Sequence, residues 1–98
     1  MDEQVKTLLN RQLFAFLASL QDAEAIEAVL EDICTEQEIH HMAQRLECAR
    51  LLMEGKTYEE VIALTEISSA TLSRVSRCIH RGQGYSRLFK EYLAKQDK

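Results

Sequence analysis

The chain has 98 residues, which is the length of one domain. Apolar residues make up 46% of it, charged residues 29%, and proline is absent, so the composition excludes a disordered, collagen-like or low-complexity chain. The net charge of −4 argues at first against a nucleic-acid partner. The sequence contains neither an apolar tract of roughly 18 residues nor the apolar core of a signal peptide near its acidic N-terminus, so we expect a cytoplasmic protein without membrane association. A domain this small buries only ~60–70% of its unfolded surface, which favours an oligomer.

The charge is unevenly distributed along the chain. Residues 1–68 carry 5 Lys/Arg and 14 Asp/Glu, a net of −9, whereas residues 69–98 carry 7 and 2, a net of +5. Because the local field decides where a polyanion docks, the basic C-terminal third is the candidate for phosphate contacts. An ordinary solvated face is the alternative.

Two helices are predicted at the N-terminus, over residues 3–20 and from a cap at Asp22 to Ile33. The first has apolar residues at helical spacing, and Phe14 and Ala15 widen that face beyond the usual arc. A face this wide indicates packing on two sides, which a partner subunit could provide. Its stripe consists of Val5, Leu8, Leu9, Gln12, Leu13, Phe16, Leu17 and Leu20.

The third predicted helix begins at a capping box, Thr35-Glu36-Gln37-Glu38, and ends near Glu54, before Gly55. One face of this helix is lined by Ile39, Met42, Ala43, Leu46, Ala49 and Met53.

A second capping box, Thr57-Tyr58-Glu59-Glu60, opens a short helix that ends near Leu64 or Thr65. After a tight turn, Ser68 can cap a helix that runs to about His80, where Gly82-Gln83-Gly84 interrupts the chain. A last helix over residues 84–94 is expected to place four residues on one face: Tyr85, Leu88, Phe89 and Tyr92. The chain is therefore predicted to be all-α.

Residues 57–81 have the pattern of a helix-turn-helix, in which the second helix enters the major groove of DNA. At about 100° per residue, Arg74, Arg77 and Arg81 form a column opposite the apolar face of this helix. Guanidinium groups beside small hydroxyl side chains suit phosphate clamping and guanine readout. The turn departs from the common motif at Ile62, Thr65 and Glu66. The candidate DNA contacts are Ser68, Ser69, Ala70, Thr71, Ser73, Arg74, Arg77 and Arg81.

The run TYEEVIALTEISSATLSRVSRCI, with the preceding EQEIHHMAQRLECARLLMEGK, resembles the Trp repressor superfamily, and in particular its YerC/YecD branch. The resemblance spans roughly residues 30–81. It implies an intertwined, all-helical homodimer with one helix-turn-helix per subunit, and a bacterial transcriptional regulator that binds an operator in double-stranded DNA.

The resemblance also implies an effector site, because Thr35, Arg45 and Arg74 match family positions that contact tryptophan. Val75 and Cys78, however, stand where the classical protein has glycine and serine, and a β-branched side chain crowds an indole-sized ligand. We therefore expect no tryptophan-like corepressor. Arg45 is expected to pair with acidic residues of the third helix.

Other chemistry finds little support in the sequence. Cys34, His41 and Cys48 recur every seven residues, but a structural zinc site needs about four ligands, so no metal is expected. The odd number of cysteines indicates reduced thiols, and we find no pattern of a catalytic site.

The predicted organisation is one domain over residues 1–98. Residues 1–54 supply the dimer core, residues 57–81 the helix-turn-helix and residues 84–94 the C-terminal helix. A dimer of this kind would place its two recognition helices ~34 Å apart on a pseudo-palindromic operator. The alternatives are a helical protein-interaction dimer without DNA binding, and a sensor of a small ligand such as an amino acid.

Overall fold

A computed structural model describes residues 1–96, which form helices and contain no strand. The predicted all-α class is confirmed. The helices are α1 (Glu3–Ser19), α2 (Ala23–Ile33), α3 (Glu36–Met53), α4 (Tyr58–Thr65) and α5 (Ser69–Arg81), followed by a π-helical segment, here the π-turn (Gly84–Phe89), and α6 (Lys90–Gln96).

The chain divides into two compact units, residues 1–39 and residues 40–98. The first unit holds α1, α2 and the beginning of α3, and none of its side chains is fully buried. The second holds the rest of α3, α4, α5 and the C-terminal segment. The single-domain organisation expected from the sequence, with its subdivisions 1–54, 57–81 and 84–94, stays a prediction.

Local sequence signals set most of the helix boundaries. The Asp2 and Asp22 carboxylates accept hydrogen bonds from the Val5 and Ala25 amides, at 2.9 and 2.8 Å, and so cap α1 and α2. At the C-terminus of α3, the Gly55 amide bonds to the Leu52 carbonyl and the Lys56 amide to the Leu51 carbonyl. This Schellman motif needs a left-handed residue, and Gly55 provides it with φ +98°.

The buried core lies entirely in the second unit and joins α3, α4 and α5. Partly buried side chains from the π-turn, Tyr85 and Phe89, extend it toward the C-terminus. Because α4 and α5 share this core with α3, the helix-turn-helix is held on a packed base. The core residues are Cys48, Ala49, Leu51, Val61, Ile67, Leu72 and Val75.

The apolar face predicted for α3 lies mostly outside the buried core of the chain. Of the six side chains, only Ala49 is buried, and Met42 and Leu46 remain 41% and 43% exposed. Cys48 and Leu51 are buried instead. Apolar residues lie on more than one side of α3, so periodicity could not tell which side packs within the chain.

The regular C-terminal helix predicted for residues 84–94 is wrong in its first half. The Leu88 amide bonds to the Gln83 carbonyl and the Lys90 amide to the Tyr85 carbonyl, which is π-helical i→i+5 bonding. As a result, Tyr85 and Phe89 pack against the core, whereas Leu88 and Tyr92 stay 53% and 55% exposed.

Candidate nucleic-acid interface

The capping box predicted for α4 is present. The Glu60 amide donates to the Thr57 hydroxyl and the Thr57 amide to the Glu60 carboxylate, both at 3.2 Å. The hydrogen bond from the Thr57 amide, together with that from its hydroxyl, lowers the pKa of the Glu60 carboxyl. Val61, fully buried, anchors the helix.

The turn between α4 and α5 is built on Glu66, which has φ 61° and ψ 20°, in the left-handed region. Its amide donates to the Ile62 carbonyl at 2.8 Å, which ends α4. Glycine is favoured at such a position because it has no Cβ. The sequence therefore keeps the common turn geometry with an uncommon residue.

Thr65 connects this turn to α3. Its hydroxyl donates to the Val61 carbonyl at 2.8 Å and accepts hydrogen bonds from the Ile67 amide at 3.3 Å and the Cys48 thiol at 3.4 Å. The Gln44 side-chain amide donates to the Thr65 carbonyl at 2.8 Å. A hydroxyl at a position where the motif usually has an apolar residue thus fixes the turn against the core helix.

The recognition helix α5 begins as predicted. The Ser68 hydroxyl accepts from the Thr71 amide at 3.2 Å, and the two side-chain hydroxyls lie 2.9 Å apart in a hydrogen bond. Leu72 and Val75 are buried, at 0% and 2% exposure, with Ile79 packed beside them. This face anchors α5 in the core.

The opposite face of α5 is exposed. Arg74, Arg77 and Arg81 are all exposed, and within residues 1–96 none of the three forms an ion pair or a side-chain hydrogen bond. Together with Cys78 and Gly82 they line an open cleft of about 380 Å³. The column predicted from the helical spacing therefore exists, and its guanidinium groups are free to meet an anion.

The remaining candidate contacts lie at the start of the same helix. Ser69, Ala70 and Ser73 are exposed, and Thr71 is half-buried. The structure thus brings all eight candidate DNA contacts together on α5 and its cap. Their role in binding stays a prediction.

The three effector candidates are placed differently. Thr35 caps α3, since its hydroxyl accepts from the Glu38 amide at 3.1 Å. Thr35 belongs to the first compact unit, and Arg45 and Arg74 belong to the second. Arg45 lines a polar cleft of about 450 Å³ beside the first turn of α5.

The ion pair predicted for Arg45 is not formed in the described part of the chain. Arg50 takes that role, with guanidinium–carboxylate distances of 2.7 Å to Glu47 and 2.8 Å to Glu54. The hydrogen bond with Arg50 lowers the pKa of the Glu47 carboxyl, and that bond raises the pKa of Arg50. The physical reason is spacing: Arg45 has no acidic residue three or four positions away, whereas Arg50 has two.

Two further expectations concern metal and membrane. Residues 1–96 contain no group of three His, Cys, Asp or Glu side chains arranged to hold a metal ion, and Cys34, Cys48 and Cys78 are free thiols. In the same range, none of the helices is both long and apolar enough to cross a bilayer.

Comparison with known proteins places the chain in a family. The model of the Trp repressor protein family matches residues 8–97. The uncharacterized protein YerC of Bacillus subtilis (strain 168) is 48% identical over 71 residues, which cover 72% of this chain and 68% of YerC.

Two solved structures share the fold. The crystal structure of a TrpR like protein from Eubacterium eligens ATCC 27750 has a TM-score of 0.83 and 38% identity, over 93% of this chain and 95% of that one. A candidate Trp repressor from Staphylococcus aureus has a TM-score of 0.81 and 28% identity over the same shares.

These relatives are TrpR-like proteins, and they define a class of non-enzymatic regulators. The chain belongs to the Trp repressor family and is YerC-like, which confirms the resemblance seen in its residues. Members of the family typically bind DNA as dimers.

Proposed function

We propose that this protein is a sequence-specific DNA-binding transcriptional regulator that acts as a homodimer through the helix-turn-helix of residues 57–81. The observation that carries the proposal is the column Arg74, Arg77 and Arg81, which is exposed and free of ion pairs within residues 1–96. An acidic chain that keeps three unpaired guanidinium groups in one row has a local positive field there.

The anchoring of α5 in the core holds the arginine column in a fixed position for contact with DNA. Leu72 and Val75 bury one face in the core, so the opposite face projects from the second unit as a rigid row. Ser69, Ala70 and Ser73 are small and exposed, so the backbone of the first two turns can come close to base edges. We assign sequence readout to Arg77 and Arg81 with these small residues, and phosphate contact to Arg74.

The homodimer is supported by apolar surface that the described chain leaves uncovered. On α1, Leu8 is 56% exposed, Phe14 63% and Phe16 49%, and on α3 Met42 and Leu46 are 41% and 43% exposed. Patches of this kind on a small protein mark association surfaces. Two recognition helices in one dimer would contact two half-sites about one DNA turn apart.

The proposal includes no tryptophan-like corepressor. Val75, which stands where the classical family member has glycine, is part of the buried core. A glycine at this place would leave a space that the valine side chain fills.

Selection of binding sites from a pool of random duplexes tests the proposal. We expect enrichment of a pseudo-palindromic motif, followed by tighter binding to the selected duplex than to a scrambled one. Arg77→Ala should weaken binding to the selected duplex more than to the scrambled one. Arg11→Ala, which removes the same charge from an exposed position on α1, is the matched control and should leave both unchanged. Failure to enrich any motif would favour an interaction dimer without DNA binding.

A further inference from the structure

Tyr85 is a half-buried aromatic residue directly after α5. It is the second residue of the π-turn, and its side chain packs against the core that α3, α4 and α5 share. The position expected from the sequence was one face of a regular helix, and the function proposed above gives Tyr85 no role.

The surroundings of Tyr85 belong to both the core helix and the recognition helix. Burial raises the pKa of its phenol, the Cys78 and Cys48 thiols raise it further, and Arg45 and Arg74 act in the opposite direction. These four residues lie on α3 and α5, two on each. The phenol therefore lies within electrostatic reach of both helices.

The Tyr85 ring also occupies space between α3 and α5, where it lines a cleft. The cleft has a volume of about 310 Å³ and is lined mainly by apolar atoms. Its walls come from α3, from α5 and from the C-terminal segment: Leu46, Cys78, Gly82, Gly84, Tyr85 and Phe89. The ring is one wall of an existing gap, so its removal would enlarge that gap.

The backbone at the end of α5 is arranged to bring Tyr85 to this place. A Cβ at Gly82 would lie 3.0 Å from the Cys78 carbonyl oxygen, so glycine avoids a tight contact at the point where the chain turns away from α5. The π-helical bonding that follows directs both Tyr85 and Phe89 to the core. π-helical segments occur frequently at functional sites.

We propose that Tyr85 is a positioning residue that holds the C-terminal half of α5 in place against α3. This half carries Arg77 and Arg81. A side chain of the protein itself therefore orders the recognition helix, which needs no aromatic effector. The proposal rests on the DNA-binding function above. Leu72 and Val75 anchor the N-terminal half of α5, whereas the partly buried Ile79, Tyr85 and Phe89 are the apolar contacts farther along the chain.

The experiment compares Tyr85→Ala with Tyr92→Ala, which removes an exposed tyrosine from the same C-terminal segment. Full-length variants are assayed on the duplex selected by the wild-type protein. If the smaller side chain leaves α5 correctly placed for about a tenth of the time, Tyr85→Ala binds about tenfold more weakly. Tyr85→Phe and Tyr92→Ala should bind like the wild type, because the first keeps the ring and the second removes a ring that stacks on Phe89 but is 55% exposed and does not pack against the core itself.

Chemical rescue tests whether the aromatic ring is what the variant lacks, and a melting temperature of Tyr85→Ala well above the assay temperature excludes unfolding as the cause of weaker binding. Millimolar phenol should enter the space vacated in Tyr85→Ala, as small aromatic molecules enter engineered apolar cavities, and restore most of its DNA affinity. It should leave the wild type unchanged. Folded Tyr85→Ala that binds DNA like the wild type, or a loss of affinity that phenol does not restore, would overturn the proposal.

Amide hydrogen exchange measures the order of α5 without DNA. Amides in the C-terminal half of α5 should exchange faster in Tyr85→Ala than in the wild type, and phenol should slow them again. This result would stand even if the wild type selected no DNA motif, so the two proposals can fail separately. Should Tyr85→Ala not fold, Tyr85→Val takes its place, and unchanged exchange in that variant would equally contradict the positioning role.

Discussion

The thiol of Cys48, in the middle of α3, donates a 3.4 Å hydrogen bond to the hydroxyl of Thr65, at the end of α4. Cys48 is fully buried, and the Thr65 hydroxyl also accepts from the Ile67 amide and donates to the Val61 carbonyl. The Thr65 hydroxyl therefore provides hydrogen-bond partners for a backbone amide of the turn, for a backbone carbonyl of α4 and for a buried thiol of α3. The turn that orients the recognition helix is fixed by a polar contact where apolar packing is usual.

Thr65→Val should lower the free energy of unfolding by about 1–2 kcal/mol, because the isosteric side chain leaves the Ile67 amide and the buried Cys48 thiol without their acceptor. Urea denaturation at fixed protein concentration measures the change, since the stability of a dimer depends on concentration. DNA affinity should fall as well, because the turn sets the direction of α5.

Thr7→Val is the matched control. The Thr7 hydroxyl makes the same type of bond, to the Glu3 carbonyl at 2.9 Å, but on the exposed surface of α1. Water can replace that bond, so a change of less than about 0.5 kcal/mol is expected. Equal losses in the two variants would show that the contact with Cys48 and Ile67 adds nothing.

Glu66→Gly should raise stability by about 0.5–1 kcal/mol, because glycine adopts a left-handed conformation without a Cβ clash. The measurement is again urea denaturation. Glu59→Gly provides the contrast: Glu59 lies in the first turn of α4, where glycine costs up to about 1 kcal/mol. A destabilised Glu66→Gly would mean that the carboxylate itself contributes to the turn.

The capping box of α4 predicts a pH dependence. Because the Thr57 amide holds the pKa of the Glu60 carboxyl below its ordinary value of 4.5, the ionised form is favoured in the folded state. Its contribution to stability is complete above pH 4.5 and is lost as the pH falls through the lowered pKa. The difference in melting temperature between wild type and Glu60→Gln should therefore be largest near neutral pH and shrink in acid.

Glu59→Gln serves as the control for this titration, since the Glu59 carboxylate makes no hydrogen bond within residues 1–96. At neutral pH the melting-temperature difference for Glu60→Gln should exceed that for Glu59→Gln, because only the Glu60 carboxylate accepts the hydrogen bonds of Thr57. A difference for Glu60→Gln that does not shrink in acid would mean that the capping carboxylate is not the group responsible.

The helix boundaries and the site could be predicted because their signals are local. Asp22, Thr35, Thr57 and Ser68 each act within three residues of the helix start they cap, so their spacing alone specifies the bond. The orientation of α5 followed from its strong amphipathicity, since one face carries Leu72 and the other the arginines.

The features that were not predicted depended on information outside the local sequence. The packed side of α3 is chosen by which helices lie against it, and exposed Met42 and Leu46 show that an apolar side chain need not be buried within its own chain. The π-turn has no sequence signature beyond the glycines at 82 and 84. The ion pair of Arg50 could have been found, because Glu47 and Glu54 lie at the right spacing.

The salt dependence of DNA binding tests the central claim most directly. The slope of log affinity against log salt should fall by about 0.9 for each phosphate contact that is lost. For a variant in which Arg74, Arg77 and Arg81 are all replaced by Gln, we therefore expect the slope to decrease by at least about 0.9, the share of the phosphate contact assigned to Arg74, on both selected and scrambled duplexes. Replacement of Lys6, Arg11 and Lys56 by Gln removes the same charge and should leave the slope as it is. An unchanged slope in the arginine variant would contradict the account, because the column on α5 would then not be the surface that meets DNA.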